Sequence, residues 1–439
     1  MTDSLENMRE EVGELVEKYF ERLHATEEFI PGKTAIPCSG KVYGNLEIRS
    51  LLSSSLEFWL TSGRFNDAFE KKLSSILGAR FARSANSGSS ANLLSIACLA
   101  SPSLGEKSLK TGDEVITVAC GFPTTVNPLL LYGLVPVFVD VELPTYNVSV
   151  SQLEAAITPK TKAIVLAHTL GNPFNLDAVA ALAKKHDLWL VEDCCDALGS
   201  TYRGQHVGTF GDFGTLSCYP AHHITMGEGG AIFSRHGRFL RMVESIRDWG
   251  RDCFCATGKE NTCGKRFDWQ MGDLPKGYDH KYIYSQLGFN FKITDLQASV
   301  GLAQLERLPQ FLQARKSNFK FLSEKFQALE EFFVLPQAAL QSDPSWFGFP
   351  LTIREKAPFS RKEILSFLTE RKIGTRPLFA GNLVCQPYMK QYPHRVGGPL
   401  KNSDTVMSQT FWIGVYPGLT EAMLQYVAES FQEFARRYS

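Results

Sequence analysis

The sequence lacks a net charge, a long apolar run and a secretory signal, and each absence excludes a class of protein. Its 46 Lys and Arg residues equal its 46 Asp and Glu residues, which argues against a nucleic-acid or membrane-surface binder held by bulk electrostatics. No run of about eighteen apolar residues predicts a membrane-spanning helix. The N-terminal residues are rich in Glu, Arg and Lys, unlike the apolar centre of a secretory signal. We therefore expect a soluble, cytoplasmic protein.

Strand-like apolar runs alternate with helical stretches through the middle of the chain. This alternation, with β-branched residues in the runs, predicts an α/β protein with a mostly parallel sheet covered on both faces. Active sites of such sheets lie beyond the carboxyl ends of the strands. The predicted strands are Glu114–Ala119, Val135–Asp140, Ala163–His168, Leu188–Asp193 and Gly214–Tyr219.

A length of 439 residues with 44% hydrophobic residues indicates a large domain and a smaller companion. Apolar residues at helical spacing predict a first helix from Ser4 to about Leu23, followed by a link rich in Pro and Gly. We place this helix and link in residues 1–50, a large cofactor-binding domain in 51–305, and an interdomain helix with a smaller α+β domain in 306–439.

Two adjacent histidines, His222 and His223, lie within a stretch that runs from Ser217 to Gly230 and ends in glycines. An imidazole titrates near neutrality and can both take and return a proton. Packing offers an equally good interpretation, in which one histidine is a hydrogen-bonded structural residue and the other lies at the surface.

Asn86 to Ala91 open a predicted helix with one glycine and several hydroxyls. The free N–H groups at a helix start favour an anion, so Gly88 and Ser89 are candidate phosphate ligands. An ordinary serine N-cap explains the same residues. Ser217, at the end of another strand, could hold the phosphate from the other side.

Asp193 ends a buried strand, where a carboxylate is costly unless it meets a cation or several donors. One suitable partner is the ring nitrogen of a pyridine cofactor; an N-cap or a core salt bridge is the alternative. Phe122, in Gly-Phe-Pro-Thr-Thr, could stack on such a ring, although an aromatic residue at a turn usually belongs to the core.

Four of the ten cysteines suggest a metal centre more than disulfides. Cys253, Cys255 and Cys263 crowd into one polar loop, and Cys195 follows Asp193 by two residues. Four thiolates suit either structural zinc or a two-iron cluster. Cys195 would lie on the order of 10 Å from a ring held by Asp193, a position that favours a redox role.

Five ordered motifs together resemble the sugar aminotransferase branch of the pyridoxal-phosphate enzymes. The resemblance covers nearly the whole chain after about Gly32. It implies the aspartate-aminotransferase-like fold (fold type I), with a mostly parallel seven-stranded sheet. The motifs are Ser-Gly-Ser-Ser-Ala-Asn, Gly-Phe-Pro-Thr-Thr-Val-Asn, Val-Glu-Asp, Ser-x-x-x-x-His-x-Ile-Thr-x-Gly-Glu-Gly-Gly and Leu-Gly-Phe-Asn-Phe-Lys-Ile-Thr-Asp-Leu-Gln-Ala.

One departure from that branch bears on the function. The sugar aminotransferases carry a lysine where this chain has His222, and that lysine binds the cofactor covalently. A histidine cannot form that bond, so the resemblance implies a cofactor held non-covalently, as pyridoxamine 5′-phosphate. Transaminating relatives also tend to have histidines where this chain has Asp196, Tyr219 and Phe347.

Lysine-less 3-dehydrases of 3,6-dideoxysugar biosynthesis show the same combination of histidine, pyridoxamine phosphate and cysteine spacing. Further similarities are Arg-Asp-Cys-x-Cys, Asn-Thr-Cys-Gly-Lys-Arg-Phe and Asp-Pro-Ser-Trp-Phe-Gly-Phe. The resemblance implies a CDP-linked 4-keto-6-deoxyhexose as substrate and a [2Fe-2S] cluster on the four cysteines. It also implies an NAD(P)H-dependent iron-sulfur flavin reductase as electron donor.

The resemblance also implies residue roles. His222 would move the proton, and either His222 or Tyr219 would protonate the leaving hydroxyl. Gly88, Ser89 and Ser217 would hold the phosphate, and Asn290 would reach across from the second subunit of a homodimer. The alternatives are a cluster-free lysine-less sugar 3-dehydratase, a non-catalytic protein of this fold and, least favoured, an ordinary aminotransferase.

Overall fold

The computed structural model describes residues 2–25 and 28–438. Within them, twelve helices are assigned, of which the longest lies between the two domains. They are α1 (Thr2–Leu23), α2 (Asn45–Glu57), α3 (Arg64–Leu77), α4 (Gly88–Leu99), α5 (Pro123–Leu131), α6 (Val150–Ala156), α7 (Leu176–Lys185), α8 (Leu240–Arg247), α9 (Asp295–Phe326), α10 (Arg361–Glu370), α11 (Lys401–Gln409) and α12 (Glu421–Ala435).

Sixteen strands are assigned in the same residues, and eight of them form the main sheet. The strands are β1 (Phe81–Ala85), β2 (Glu114–Val118), β3 (Val135–Val139), β4 (Val141–Glu142), β5 (Asn147–Val148), β6 (Thr161–Ala167), β7 (Trp189–Asp193), β8 (Thr201–Tyr202), β9 (Gln205–His206), β10 (Phe213–Ser217), β11 (Gly230–Ser234), β12 (Phe333–Val334), β13 (Ser342–Asp343), β14 (Gly348–Ile353), β15 (Arg395–Val396) and β16 (Thr410–Gly414).

The main sheet has the order β1-β11-β10-β7-β6-β2-β3-β15. Only β11 is antiparallel to its neighbours, β1 and β10; the other pairs are parallel. All five predicted strands are present with small shifts at their ends. The expected seven strands become eight, because the two-residue β15, from the C-terminal part of the chain, pairs with β3.

Apolar side chains cover both faces of this sheet. One buried cluster joins α3 and α7 to strand residues such as Ile116, and the other joins α4 and α8 to residues such as Val115. Successive residues of a strand point to opposite faces, so Val115 and Ile116 belong to different clusters. Both faces are therefore buried, as the continuous apolar runs predicted.

The smaller domain is built on the antiparallel sheet β12-β14-β16. Its core contains the end of α9 together with α10 and α12, including Leu322, Phe349 and Phe431. Ile36, from the N-terminal link, packs in the same core and pairs with Ile373. The link therefore lies against the C-terminal domain, and the predicted boundary at residue 306 falls within α9.

Helix α1 is formed as predicted, but most of its apolar side chains are exposed, whereas Val16 and Phe20 are half-buried. No helix in residues 2–25 and 28–438 combines the length and apolarity needed to cross a bilayer.

Candidate functional site

The candidate site lies where the carboxyl ends of β7 and β10 meet the start of α4 and α5. Asp193 and Ser217 are the last residues of these two strands, and Gly88 is the first residue of α4. Phe122 comes directly before α5, and Thr125 lies in the first turn of that helix. The sheet thus gathers residues from four separate motifs at one edge.

Asp193 is buried and bound by three donors. Its Oδ2 accepts hydrogen bonds from Asn92 Nδ2 at 2.8 Å and Thr125 Oγ1 at 2.7 Å. Its Oδ1 accepts one from the Cys195 backbone N–H at 3.0 Å. The Thr215 hydroxyl donates to Asn92 Oδ1 at 2.6 Å, which orients the amide. Such a network stabilises a buried carboxylate and fixes its direction.

The start of α4 packs closely against the end of β10. A Cβ atom added to Gly88 would lie 2.6 Å from Ser217 Cβ and 3.0 Å from Cys195 Sγ, so this contact needs glycine. Ser87 caps the helix by accepting the Ser90 N–H. The first N–H groups of a helix carry partial positive charge, and together with the nearby Ser217 hydroxyl they can bind a phosphate group.

His222 lies beside a second buried carboxylate. Its Nδ1 is 3.4 Å from Asp196 Oδ1, and its ring lies on Phe347 with 5.3 Å between centroids. Among the described residues, this Nδ1 and Asp196 Oδ2 are buried atoms that lack a hydrogen-bond partner. With Nδ1 turned towards Asp196, Nε2 is the ring nitrogen available for proton transfer.

Arg315 connects this histidine to the smaller domain. It is fully buried in α9 and donates through Nη2 to the His222 carbonyl at 3.5 Å and through Nη1 to the carbonyls of Trp346 and Phe347. Burial lowers the pKa of Arg315 to about 10, while the carboxylate of Asp196 opposes that shift.

His223 has a structural role. It is buried, and its Nε2 lies 2.7 Å from the Ser345 carbonyl. Burial and the charge of Arg315 lower its pKa well below the usual value. One of the two adjacent histidines is therefore a packed, neutral residue, and only His222 borders the site.

Phe122 and Tyr219 are each about half exposed. Phe122 contacts Phe379 edge-on, with 6.2 Å between ring centroids. The Tyr219 backbone N–H donates to Ser217 Oγ at 3.3 Å, and its carbonyl accepts the His222 N–H. A tight turn therefore connects Ser217 to His222.

Asn290 is exposed, and its Oδ1 accepts a hydrogen bond from Lys292 at 3.0 Å. Its backbone pairs with Asp248. The next residue, Phe291, accepts a backbone hydrogen bond from Asn86 at 2.8 Å, so this segment lies beside the start of the predicted phosphate motif.

The structure does not bring the four cysteines into one coordination sphere. Cys253, Cys255 and Cys263 line one small cavity, whereas Cys195 packs against the start of α4. In the described part of the chain, no three His, Cys, Asp or Glu side chains are arranged to hold a metal ion. The four-thiolate centre stays a prediction, since Cys195 and the other three cysteines lie on separate elements in this conformation.

The thiols also differ electrostatically. Burial and the neighbouring Asp193 raise the pKa of Cys195 well above its ordinary value. At Cys255, burial raises the pKa, but hydrogen bonds from Thr262 outweigh it and the net pKa is lowered.

Three residues of the site were not predicted. Asn92 and Thr125 belong to motifs already noted, and their polar side chains one helical turn after Gly88 and Phe122 were the available signal. Arg315 lies in the middle of a long helix, and nothing local distinguishes it from a surface residue.

Comparisons with known proteins identify the family of the chain. The sequence pattern of the DegT/DnrJ/EryC1/StrS aminotransferase family matches residues 44–432. Lipopolysaccharide biosynthesis protein RfbH of Salmonella typhimurium is 58% identical over 428 residues, covering 98% of each chain. The dTDP-4-dehydro-2,6-dideoxy-D-glucose 3-dehydratase of Saccharopolyspora spinosa is 50% identical over 420 residues, covering 96% of this chain and 91% of that one.

Solved structures show the same fold. A mutant of GDP-4-keto-6-deoxymannose-3-dehydratase (ColD) with bound GDP-perosamine superimposes with a TM-score of 0.82 at 28% identity, covering 90% of this chain and 99% of that chain. The E. coli enzyme with bound hydrated PLP gives 0.81 at 28% identity, covering 90% and 98%. The fold is that of the aminotransferase-like enzymes of fold type I, and the chain belongs to the DegT/DnrJ/EryC1/StrS aminotransferase family.

Proposed function

We propose that this protein removes the C3 hydroxyl of a nucleotide-linked 4-keto-6-deoxyhexose, with pyridoxamine 5′-phosphate as cofactor. The observation that carries the proposal is His222, an imidazole beside the buried Asp196. The resemblance to the sugar aminotransferases implies a lysine at this position. An imidazole can move a proton but cannot bind the cofactor covalently.

The site residues fit this cofactor. Gly88, Ser89 and Ser217 would hold its phosphate, and the buried carboxylate of Asp193 would pair with its ring nitrogen. Phe122 would stack on the ring. When bound, the protonated pyridine supplies an electron sink for charge that develops next to it.

His222 would then take a proton at the 4′ carbon of the cofactor through Nε2. Asp196, 3.4 Å from Nδ1, would orient the ring so that Nε2 faces the cofactor. The departing hydroxyl needs a proton as well, and His222 and the half-exposed Tyr219 are the two candidates.

The proposal also specifies CDP as the nucleotide that is linked to the sugar. The names of two relatives give dTDP-linked and GDP-linked sugars as their substrates. We infer the CDP-linked form from the resemblance that the motifs carry. Purified protein with pyridoxamine phosphate should dehydrate the CDP-linked 4-keto-6-deoxyhexose faster than the dTDP and GDP forms. Equal or faster turnover of another form would overturn the CDP assignment, and no dehydration of any form would overturn the function.

Amino transfer from an amino-acid donor would indicate an ordinary aminotransferase.

Three thiols around one cavity favour an extended form of this function, in which reduction follows dehydration. In that form the chain holds a [2Fe-2S] cluster and an NAD(P)H-dependent iron-sulfur flavin reductase supplies electrons. Cys195 would have to approach the other three cysteines. Two irons and two acid-labile sulfides per chain after anaerobic purification, with visible spectra that bleach on reduction, would support this form. Iron-free protein that still dehydrates the sugar would identify the cluster-free alternative.

We also propose a homodimer, located in the cytoplasm, in which Asn290 completes the site of the second subunit. The exposed position of Asn290 favours this arrangement. Mixing an N290A chain with an H222N chain should restore about one-quarter of the activity if sites are shared across subunits, because random assembly gives half heterodimers with one intact site each.

A further inference from the structure

Helix α1 docks on its own subunit through polar side chains. Arg49 of α2 binds Glu10 through Nη1 and Glu17 through Nε, each at 2.6 Å. Gly13 is buried between them, and a Cβ at that position would lie 3.5 Å from Arg49 Cζ. An amphipathic helix ordinarily turns its apolar face inward, so the arrangement of α1 is reversed.

The apolar face of α1 consequently points to solvent. Five residues alternate at spacings of three and four, and they are between 42% and 69% exposed. This narrow stripe follows the seven-residue repeat of a coiled-coil seam, in which the first and fourth positions contact a second helix. The seam consists of Leu5, Met8, Val12, Leu15 and Tyr19.

We propose that this seam pairs with the α1 seam of a second copy of the chain, in antiparallel orientation. In this arrangement Val12 faces Leu15 of the second copy and Met8 faces Tyr19. Each apolar layer occurs twice because the pairing is two-fold symmetric.

Charges beside the seam favour the antiparallel orientation. Glu11 and Lys18 occupy equivalent flanking positions one heptad apart, and both are exposed. Antiparallel pairing brings Glu11 of each copy opposite Lys18 of the other. Parallel pairing would instead place Glu11 near Val16 and give no such ion pair. The α1 helix of a second copy therefore carries the charges that complement this seam.

The contact is separate from the proposed function. The family pattern begins at residue 44, after α1 has ended, and none of the site residues lies in α1. Loss of the seam contact should therefore leave the chemistry in place, and failure of the proposed activity would say nothing about the seam.

Disulfide trapping tests the pairing directly in the full chain. In the V12C/L15C variant, mild oxidation at low protein concentration should produce a disulfide between position 12 of one chain and position 15 of another, identified by peptide mass mapping. The single variants and N7C, on an exposed neighbouring face of α1, should give no crosslink through α1. A disulfide joining position 12 to position 12 would overturn the antiparallel orientation, and the absence of crosslinks through α1 would overturn the pairing.

A charge exchange gives an independent test. K18E should raise the concentration at which the assembly half-dissociates about fivefold, because Glu11 then faces a second carboxylate. E11K/K18E should restore the wild-type dissociation concentration. The repulsion between Glu14 and the new carboxylate at position 18, within one helix, remains in this variant. If K18E leaves association unchanged, or the double variant is no better than K18E, the proposed pair is wrong.

Discussion

The residues at the edge of the main sheet and those of the cysteine segment, 250–285, are held in different ways. Asp193 receives three hydrogen bonds from a neighbouring helix, a second helix and its own strand end. The cysteine segment contains isolated bridges, turns and one short 3₁₀ turn, His280–Tyr282. Several of its ion pairs, such as Arg266 with Asp279, lie near the surface, where such pairs contribute little free energy.

This difference shows that buried strands fix the positions of functional side chains. At the sheet edge, buried strands position each side chain before any ligand arrives, as proton transfer requires. In the cysteine segment, three thiols share a cavity, yet the fourth proposed ligand belongs to the sheet edge. We therefore expect the chemistry of the two regions to respond independently to mutation.

The largest effect should come from the imidazole at the sheet edge. H222N should reduce sugar dehydration about 10³-fold, because the amide cannot accept the proton. Cofactor retention, measured by absorbance after gel filtration, should remain because the phosphate and ring contacts do not involve His222. The matched control H223Q should retain most of the activity; equal losses in both variants would mean that the pair acts structurally.

The second effect concerns Asp193. D193N replaces a buried anion that three donors surround, and it should weaken pyridoxamine phosphate binding about 10- to 100-fold. Equilibrium titration of the apoprotein would measure the change. E114Q, at a partly exposed ion pair with Arg395 at the opposite end of the sheet, serves as the control. Unchanged affinity in D193N would remove Asp193 from the site.

A smaller loss of kcat is expected when Asp196 is replaced. D196N removes the charge 3.4 Å from His222 Nδ1, and kcat should fall about tenfold while KM stays constant. D196E, which keeps the charge, should recover part of the rate. If KM rises instead and kcat is unchanged, Asp196 contacts the substrate rather than the base.

His223 makes stability depend on pH. Its folded-state pKa lies below the unfolded value, so the unfolded chain binds a proton first as the pH falls through about 6.5, and stability is lost below that pH. Between pH 7.5 and 5.5, the free energy of unfolding should fall about 1.4 kcal/mol more in the wild type than in H223Q. Parallel urea titrations at the two pH values measure this difference. Identical pH dependences would show that folding does not lower the pKa of His223.

The smallest effect should come from the cysteine segment. C255S should change dehydration and cofactor retention less than about twofold, because none of the sheet-edge contacts involves that thiol. A large loss of dehydration would join the two regions into one functional unit. Loss of bound iron alone would instead support the extended, reductive form of the function.

Local patterns predicted the parts of the fold that depend on local chemistry. The continuous apolar runs identified five strands of the sheet, and glycine, which ends many helices, ends α3 at Gly78 with φ of 64°. The strands β1 and β11 escaped prediction because their short sequences contain small and polar residues without β-branched runs. The contact of Asn92 with Asp193 joins residues 101 positions apart, and only the folded sheet reveals it.

The separation of Cys195 from the other thiols has a similar cause. Closeness in sequence to Asp193 correctly predicted that Cys195 lies at the sheet edge. It carried no information on the direction of the segment 250–285, which long-range contacts determine. Motif residues were thus predictable one by one, whereas their joint geometry was not.

The most direct test of His222 as the proton-transfer residue follows hydrogen at the 4′ carbon of pyridoxamine phosphate during turnover in deuterated water. Wild-type protein with the 4-keto sugar should introduce solvent deuterium at one of the two 4′ positions, and H222N should introduce almost none over the same period. Undiminished, stereospecific exchange by H222N would contradict the assignment of His222 as the group that moves the proton.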